Sequence, residues 1–392
     1  KKIYKNYTNK KKKKSNVFAI GVMFLLFFMI AFVTNFAGSM GVIVQNQFGA
    51  SNAMAQLGTL ANFIAYACMG IPGGLILKRK GYKFTSLLAA AIGFIGVAIQ
   101  FASGYVESFG VYVLGAFVAG FSMCLLNLVV NPMLNTLGGG GNRGNQLIQL
   151  GGSCNSVGGT IAPILLGYLI GGAITENTQV GDAAPAMIAA MAIFALAFVI
   201  IALSAIPEPH METAEEKAAR KAGNVKKDPH GPMSFRHFVL GAIAIFFYVG
   251  VEVGIPNVLQ KWLNFVSTPA IAGTVTATYW LLMLVGRLAG AALGAKVSAK
   301  TMLSVVSAVG ACLTLGAIFL SPETMVNLPV FKGTAGFGMA SVPVNAALLV
   351  LCGLCTSVMW GGIFNLAVEG LGKYTEKASG IFMALVCGGG IL

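Results

Sequence analysis

The chain has 392 residues, 56% hydrophobic and 10% charged, with a formal net charge of +14. A soluble domain carries about 25% charged residues, and the mean hydropathy here is +0.80, so a soluble globular protein is excluded. The basic residues flank apolar runs, which assigns them to lipid headgroups and topology and excludes a nucleic-acid partner.

Residues 1–16 form a lysine-rich tail, too basic to fold. The apolar run behind it is too long for a cleaved signal and is followed by more such runs. Backbone polar groups in lipid must pair within their own segment, so runs of about 20 apolar residues are read as helices. The short alternating strands of a membrane barrel are missing from the pattern. Helices are predicted at 17–45, 55–77, 84–104, 109–137, 146–171 and 183–206. A polar stretch at 207–234, with Pro207, Pro209, Pro229 and Pro232, reads as a linker with a short amphipathic piece at 212–221. Further helices are predicted at 236–262, 270–294, 301–320, 341–371 and 379–392, with a longer connection at 321–340. The last run is too short to cross, so an eleventh helix is read as cut short and a twelfth as missing. The fold class is an all-α membrane protein with helix bundles at 17–206 and 235–392, the second incomplete.

Of 26 Lys and Arg, all but Lys261 and Lys332 fall in the tail, the linker, or connections and helix ends on the same side. Cytoplasmic loops collect Lys and Arg, so the N-terminus and the linker are predicted to lie in the cytoplasm. The seven cysteines all sit in apolar segments, so no disulfide framework is expected. Cys352 and Cys355 form a C-x-x-C, read here as small packing residues within a helix. The three histidines lie in or beside the linker and suggest no metal site.

The two halves carry matching marks. Asn131, Gly138 and Arg143 have the same spacing as Asn365, Gly372 and Lys377. Gly70 and Gly74 have the spacing of Gly286 and Gly290. The run from Gly70 through Gly73, Gly74, Lys78, Arg79, Lys80, Gly81 and Lys83 resembles the loop signature of the major facilitator superfamily between helices two and three. The acidic residue usual in that signature is missing, which removes the usual charge relay at this loop. Two further stretches resemble the fucose–proton symporter family of sugar porters within that superfamily. One is Asn131-Pro132-Met133-Leu134-Asn135-Thr136-Leu137-Gly138, followed by Asn155-Ser156-Val157-Gly158. The other is Trp360 to Asn365, then Gly370-Leu371-Gly372-Lys373-Tyr374-Thr375, Ser379-Gly380 and Gly388-Gly389-Gly390.

The resemblance implies a major facilitator fold of two pseudo-symmetric six-helix bundles and transport of a small neutral sugar by alternating access. It implies no enzyme activity and no cofactor. It also implies carboxylates in helices one and four, and the chain departs there. Helix one, around Asn35, Ser39 and Gln45, has no acid, and Asn127 stands where the glutamate of helix four is expected. Asparagine cannot cycle a proton. H+, Na+ or no ion at all therefore remain open as coupling partners.

The one acid placed clearly within a span is Glu252, a candidate for coupling or gating because burying its charge is expensive. A structural Glu252, hydrogen-bonded toward Asn35 or Ser39, is the alternative. Arg287, near the cytoplasmic end of helix eight, is read as a snorkelling or gating charge. Sugar recognition needs amides for hydroxyls and an aromatic face for the ring. The substrate-binding candidates are Asn35, Asn62, Asn127, Gln149, Asn155, Asn257, Gln260 and Trp360. Asn131 and Asn365 are read as packing residues near helix ends. An exporter of amphipathic compounds and a sugar-binding membrane sensor are the alternative functions. The chain is expected to act as a monomer in the inner membrane.

Overall fold

The computed structural model describes residues 16–33, 40, 43–44, 47–49, 51, 54, 56–170, 178–209, 211–222, 230–332 and 336–391. Eight of the helices among them are long and apolar enough to cross a bilayer. The first half runs α1 (Asn16–Val33), α2 (Leu57–Val106), α3 (Phe109–Leu137), α4 (Gly141–Ile170) and α5 (Ala184–Leu203).

The 50-residue α2 contains both of the spans predicted at 55–77 and 84–104. They are separated by a break of one residue, Gly81, at φ 85° and ψ 176°. That region of backbone space is open to glycine and costly for other residues. Glu208, from the start of the linker, fixes the break: its carboxylate accepts the amides of Tyr82 and Lys83, which would otherwise be orphan donors at a helix start. Lys83 returns the contact by donating Nζ to the carbonyls of Ala202 (2.7 Å) and Ser204 (2.9 Å) at the end of α5. A cation is favoured at a helix C-terminus. The third and sixth spans are thus tied together at their linker ends. Within the linker, α6 (Ala214–Lys221) forms where the amphipathic piece was predicted. A reciprocal capping box starts it, with the Glu216 amide on Thr213 Oγ1 and the Thr213 amide on Glu216 Oε2.

The second half runs α7 (Arg236–Val266), α8 (Pro269–Leu293) and α9 (Ala299–Phe319), then a hairpin, then α10 (Val344–Ser357), α11 (Met359–Val368), α12 (Thr375–Leu385) and α13 (Gly388–Ile391). The sequence reading expected a plain connection at 321–340 and one helix at 341–371. The structure instead pairs β1 (Met325–Phe331) with β2 (Phe337–Pro343) antiparallel. Val330, Ala340 and Val342 pack on Leu259, Leu263, Ala272 and Val275, near the end of α7 and the start of α8. The alternating burial of β1 is the period-two pattern of a half-buried strand, hidden in a segment too short for a helix-period test. Helix α10 starts only after Pro343, whose extended backbone (ψ 143°) forbids an earlier start. A turn at Val358, at φ -96° and ψ -6°, then divides α10 from α11.

The two halves meet most closely near the linker side. A Cβ placed on Gly74 would lie 2.8 Å from the Glu376 carbonyl oxygen, and one on Gly70 would overlap the backbone of Ala384. Gly380 faces both, so helix backbones touch across the seam. The matched pair Gly286 and Gly290 faces Ser357 and Val358 of its own half instead. Beside it, Gly294 approaches Gln146 and completes a second seam between α4 and α8.

Replacing Glu208 by Ala strands two helix-start amides. The expected loss is about 1–3 kcal/mol, measured as an earlier thermal unfolding midpoint in detergent. Glu208→Gln should recover part of it, since one side-chain oxygen remains to accept. An unchanged midpoint in Glu208→Ala would show that the tie between the third and sixth spans contributes nothing.

Candidate functional site

Amides at every fourth position of α3 share one face: Asn127, Asn131 and Asn135. Asn127 is buried and donates to Tyr66 Oη of α2 at 2.9 Å. Asn131 donates to the Asn127 carbonyl at 2.9 Å and to its side-chain oxygen at 3.3 Å. Its own Oδ1 accepts the indole N–H of Trp360 across the seam at 3.1 Å. Asn135 donates to Asn365 Oδ1 at 2.6 Å, also across the seam. Trp360 packs edge-on against Phe382, which in turn meets Phe364. Asn131 and Asn365, read as packing residues, are therefore the cross-seam partners of Trp360 and Asn135.

A second polar cluster is centred on Arg287 of α8, buried at 8% exposure. Its NH1 donates to the Gly152 carbonyl (3.1 Å), Asn155 Oδ1 (3.3 Å) and Ser156 Oγ (2.7 Å), all on α4 in the other half. Its NH2 pairs with Glu252 Oε1 of α7 at 3.2 Å. Tyr279 Oη is hydrogen-bonded with Thr356 Oγ1 at 3.0 Å and lies 3.3 Å from the Glu252 carbonyl, to which it donates. Tyr248 Oη donates to the Thr356 carbonyl at 3.1 Å. A buried guanidinium is tolerable when its donors are used and its charge is matched. Here one carboxylate and three neutral oxygens meet both conditions. Arg287 does not snorkel; it bridges the halves.

Both clusters draw on α4. Gln149 donates to the Val358 carbonyl at 2.9 Å, across the seam, and Asn155 donates to the Phe27 carbonyl of α1 at 3.0 Å. Asn62 lies half-buried on α2 with its backbone against Gly120. Asn257 and Gln260 are exposed on α7, and Asn257 donates to the Val253 carbonyl one turn back. These two are not brought to the seam amides. Asn35, with Ser39 and Gln45, lies outside the described residues. Glu252 pairs with Arg287 of α8, and the expected first-helix partners Asn35 and Ser39 lie outside the described residues. No group of His, Cys, Asp and Glu suited to a metal is present among the described residues. The seven cysteines are free, and Cys352 and Cys355 are buried in α10.

A cavity of about 350 Å³ opens between α7, α9, α10 and α11, lined by Phe247, Tyr248, Ser307, Thr314, Thr356 and Met359 among others. Its walls are largely apolar and include none of the seam amides. The amide and arginine clusters have the chemistry for hydroxyl groups, and this cavity does not.

Sequence reasoning missed four kinds of participant. Tyr66, Tyr248 and Tyr279 look like ordinary aromatic residues of an apolar helix. Thr356 sits in a C-T-S run with no signal of its own. Asn135 was visible in the quoted motif but not singled out. Glu376 was not singled out at all, and the structure buries it to 1% exposure.

Residues 22–392 match the family model described as Major Facilitator Superfamily. The chain is 29% identical to a glucose/galactose transporter of Brucella abortus, over 98% of this chain and 88% of that protein. It is 21% identical to the L-fucose-proton symporter of Escherichia coli, over 97% of this chain and 86% of the relative. Its fold is similar to a crystal structure of FucP, a major facilitator transporter in the outward conformation. The TM-score is 0.77, at 19% identity, covering 96% of this chain and 90% of that one. With the matched region running through both halves and the seam between them, this chain belongs to the major facilitator superfamily.

Proposed function

We propose that the chain carries a small neutral sugar across the cytoplasmic membrane by alternating access. The observation that carries this reading is the pair of polar clusters on the seam, built from both halves: Asn127, Asn131 and Trp360 in one, Asn155, Arg287 and Glu252 in the other. Amides and an indole are the groups that hold hydroxyls and the apolar face of a pyranose. The similarity to proteins named as glucose/galactose transporters and to a fucose–proton symporter supports the same substrate class.

In this reading the chain divides into a tail at 1–16, a first bundle at 17–206, a linker at 207–234 and a second bundle at 235–392. The tail and linker lie in the cytoplasm, as the placement of Lys and Arg supports. The close contacts of Gly70, Gly74 and Gly380 near the linker then belong to a state closed toward the cytoplasm. Asn127, Gln149, Asn155 and Trp360 bind the sugar, with Asn62 and Asn35 as further contacts. Glu252 and Arg287 form the gate between the halves, since any rocking motion must break the bonds from Arg287 to α4. Asn257 and Gln260 drop to outer contacts because both are exposed on α7.

Proteoliposomes holding the purified protein should exchange labelled glucose, galactose or L-fucose in counterflow. Asn127→Ala and Trp360→Ala should each reduce exchange at least about fivefold, the effect of about 1–3 kcal/mol per lost hydrogen bond. No exchange of any sugar, with movement of a lipophilic cationic dye instead, would favour export of amphipathic compounds.

Breaking the buried ion pair should be worse than removing it. Arg287→Met leaves Glu252 uncompensated and is expected to cost about 3–5 kcal/mol of stability. The double variant Arg287→Met with Glu252→Gln should regain much of that unfolding midpoint while remaining inactive. A separate readout concerns coupling: Glu252→Gln should slow gradient-driven uptake more than counterflow. Equal effects on both would make Glu252 a structural partner of Arg287 only.

A further inference from the structure

Glu376 is a buried acid that the two seam clusters leave unused. It sits in the first turn of α12, ahead of the eleventh span predicted at 379–392, at 1% exposure. Its Oε1 accepts a long bond of 3.5 Å from Tyr82 Oη, on the other half. Its Oε2 is buried and has no hydrogen-bond partner. Its own carbonyl oxygen rests against Gly74, and Gly380, one turn on, rests against Gly70 and Gly74. The contact is backbone on backbone, so there is no room beside it for a hydrating layer.

We infer that Glu376 is a protonation-dependent latch on the linker-side seam, closed while its carboxyl is neutral and released when it ionises. An ionised carboxylate with an unmatched oxygen in a dry contact carries a large desolvation cost. A neutral carboxyl carries far less. Parting α12 from α2 would wet Glu376 and remove that cost. The closed and parted states therefore bind different numbers of protons, and pH must shift their balance.

The charges around it do not cancel this. From α2, Lys78 and Tyr82 face it, and both pull its pKa down. Arg79 and Lys80 on the same helix are exposed. Helix α3 presents no charged residue. Helix α7 begins with Arg236 and His237, both exposed. The turn Pro232–Ser234 carries no charge. Lys373, Tyr374 and Lys377 precede or follow it on its own strand of chain, and Glu369 beyond α11 is exposed. Glu208 reaches Tyr82 from the linker, on the opposite side of that ring's backbone. Burial outweighs the combined pull of its own amide, Lys78 and Tyr82, and lifts the carboxyl from 4.5 to about 7.

The direction follows. A raised pKa in the closed state gives that state a stability present in full below about 4.5 and lost as pH climbs toward about 7. Above that both states are ionised and the balance levels off. Acid on the linker side holds the seam shut; neutral pH frees it.

The latch rests on the proposed alternating-access reading but not on the identity of the cargo. The test uses the full chain in lipid nanodiscs, with spin labels at Arg143→Cys and Lys296→Cys, exposed positions at the linker ends of α4 and past α8. Native cysteines are replaced. Pulsed electron–electron distances are recorded from about pH 5 to about pH 7.5, and the ratio of parted to closed molecules should rise at least about tenfold. Glu376→Gln should hold the closed distance at every pH. Lys78→Met and Tyr82→Phe each remove a group that favours the charged form, so each should move the transition to higher pH. Glu376→Asp keeps a carboxyl and should keep a transition. A Glu376→Gln protein that follows pH like the parent overturns the latch. So does a parent whose distances ignore pH while sugar counterflow is normal. Distances that follow pH through Glu376 with no sugar moved would keep the latch and remove the sugar reading. Should Glu376→Gln fail to fold, unshifted transitions in Lys78→Met and Tyr82→Phe overturn the latch.

Discussion

Two apolar bundles in lipid gain little by touching, because lipid tails solvate leucine as well as another helix does. Whatever holds the halves of this protein together must come from polar bonds and from close backbone approach. Both are found on the seam and are spent in different places. Toward the linker, Gly70 and Gly74 let α2 lie directly on α12. Deeper in, amides and one arginine cross the gap: Asn131 to Trp360, Asn135 to Asn365, Gln149 to Val358, Arg287 to Gly152 and Ser156. Each of these bonds can be handed to water or to a ligand hydroxyl at small net cost.

The same constraint explains why the candidate site holds so little fixed charge. The acids usual in helices one and four of similar symporters are replaced, at helix four, by Asn127, which spends its amide on Tyr66. Among the described residues the buried Arg287 is matched by Glu252, and its remaining donors find neutral oxygens. Polar side chains arranged this way favour hydrogen bonding over charge, and an asparagine at the fourth helix cannot cycle a proton.

Much of this was legible in advance. Spans α3, α5, α7, α8 and α9 fall within a few residues of their predicted positions, because a run of about 20 apolar residues in lipid has almost no alternative to a helix. The linker, its short helix and the glycine-rich end of α2 were also readable. The hairpin at 325–343 was not. Its strands alternate over seven residues each, and their inward face exists only because Leu259, Leu263 and Val275 are there to receive it. The division of 341–371 into two helices at Val358 left no mark stronger than a threonine and a serine.

The sequence by itself determined most of the helices and the supply of amides and glycines, since each follows from local composition and spacing. It could not decide which polar groups meet. Asn131 and Asn365 read as packing residues, and the structure gives each a hydrogen bond across the seam, with Trp360 and Asn135. Glu376 carried no mark in the sequence, and the structure buries it against Tyr82 of the other half. The physical reason is that burial and partnership of a polar side chain are properties of the seam between two bundles, and no window of sequence contains both of its walls.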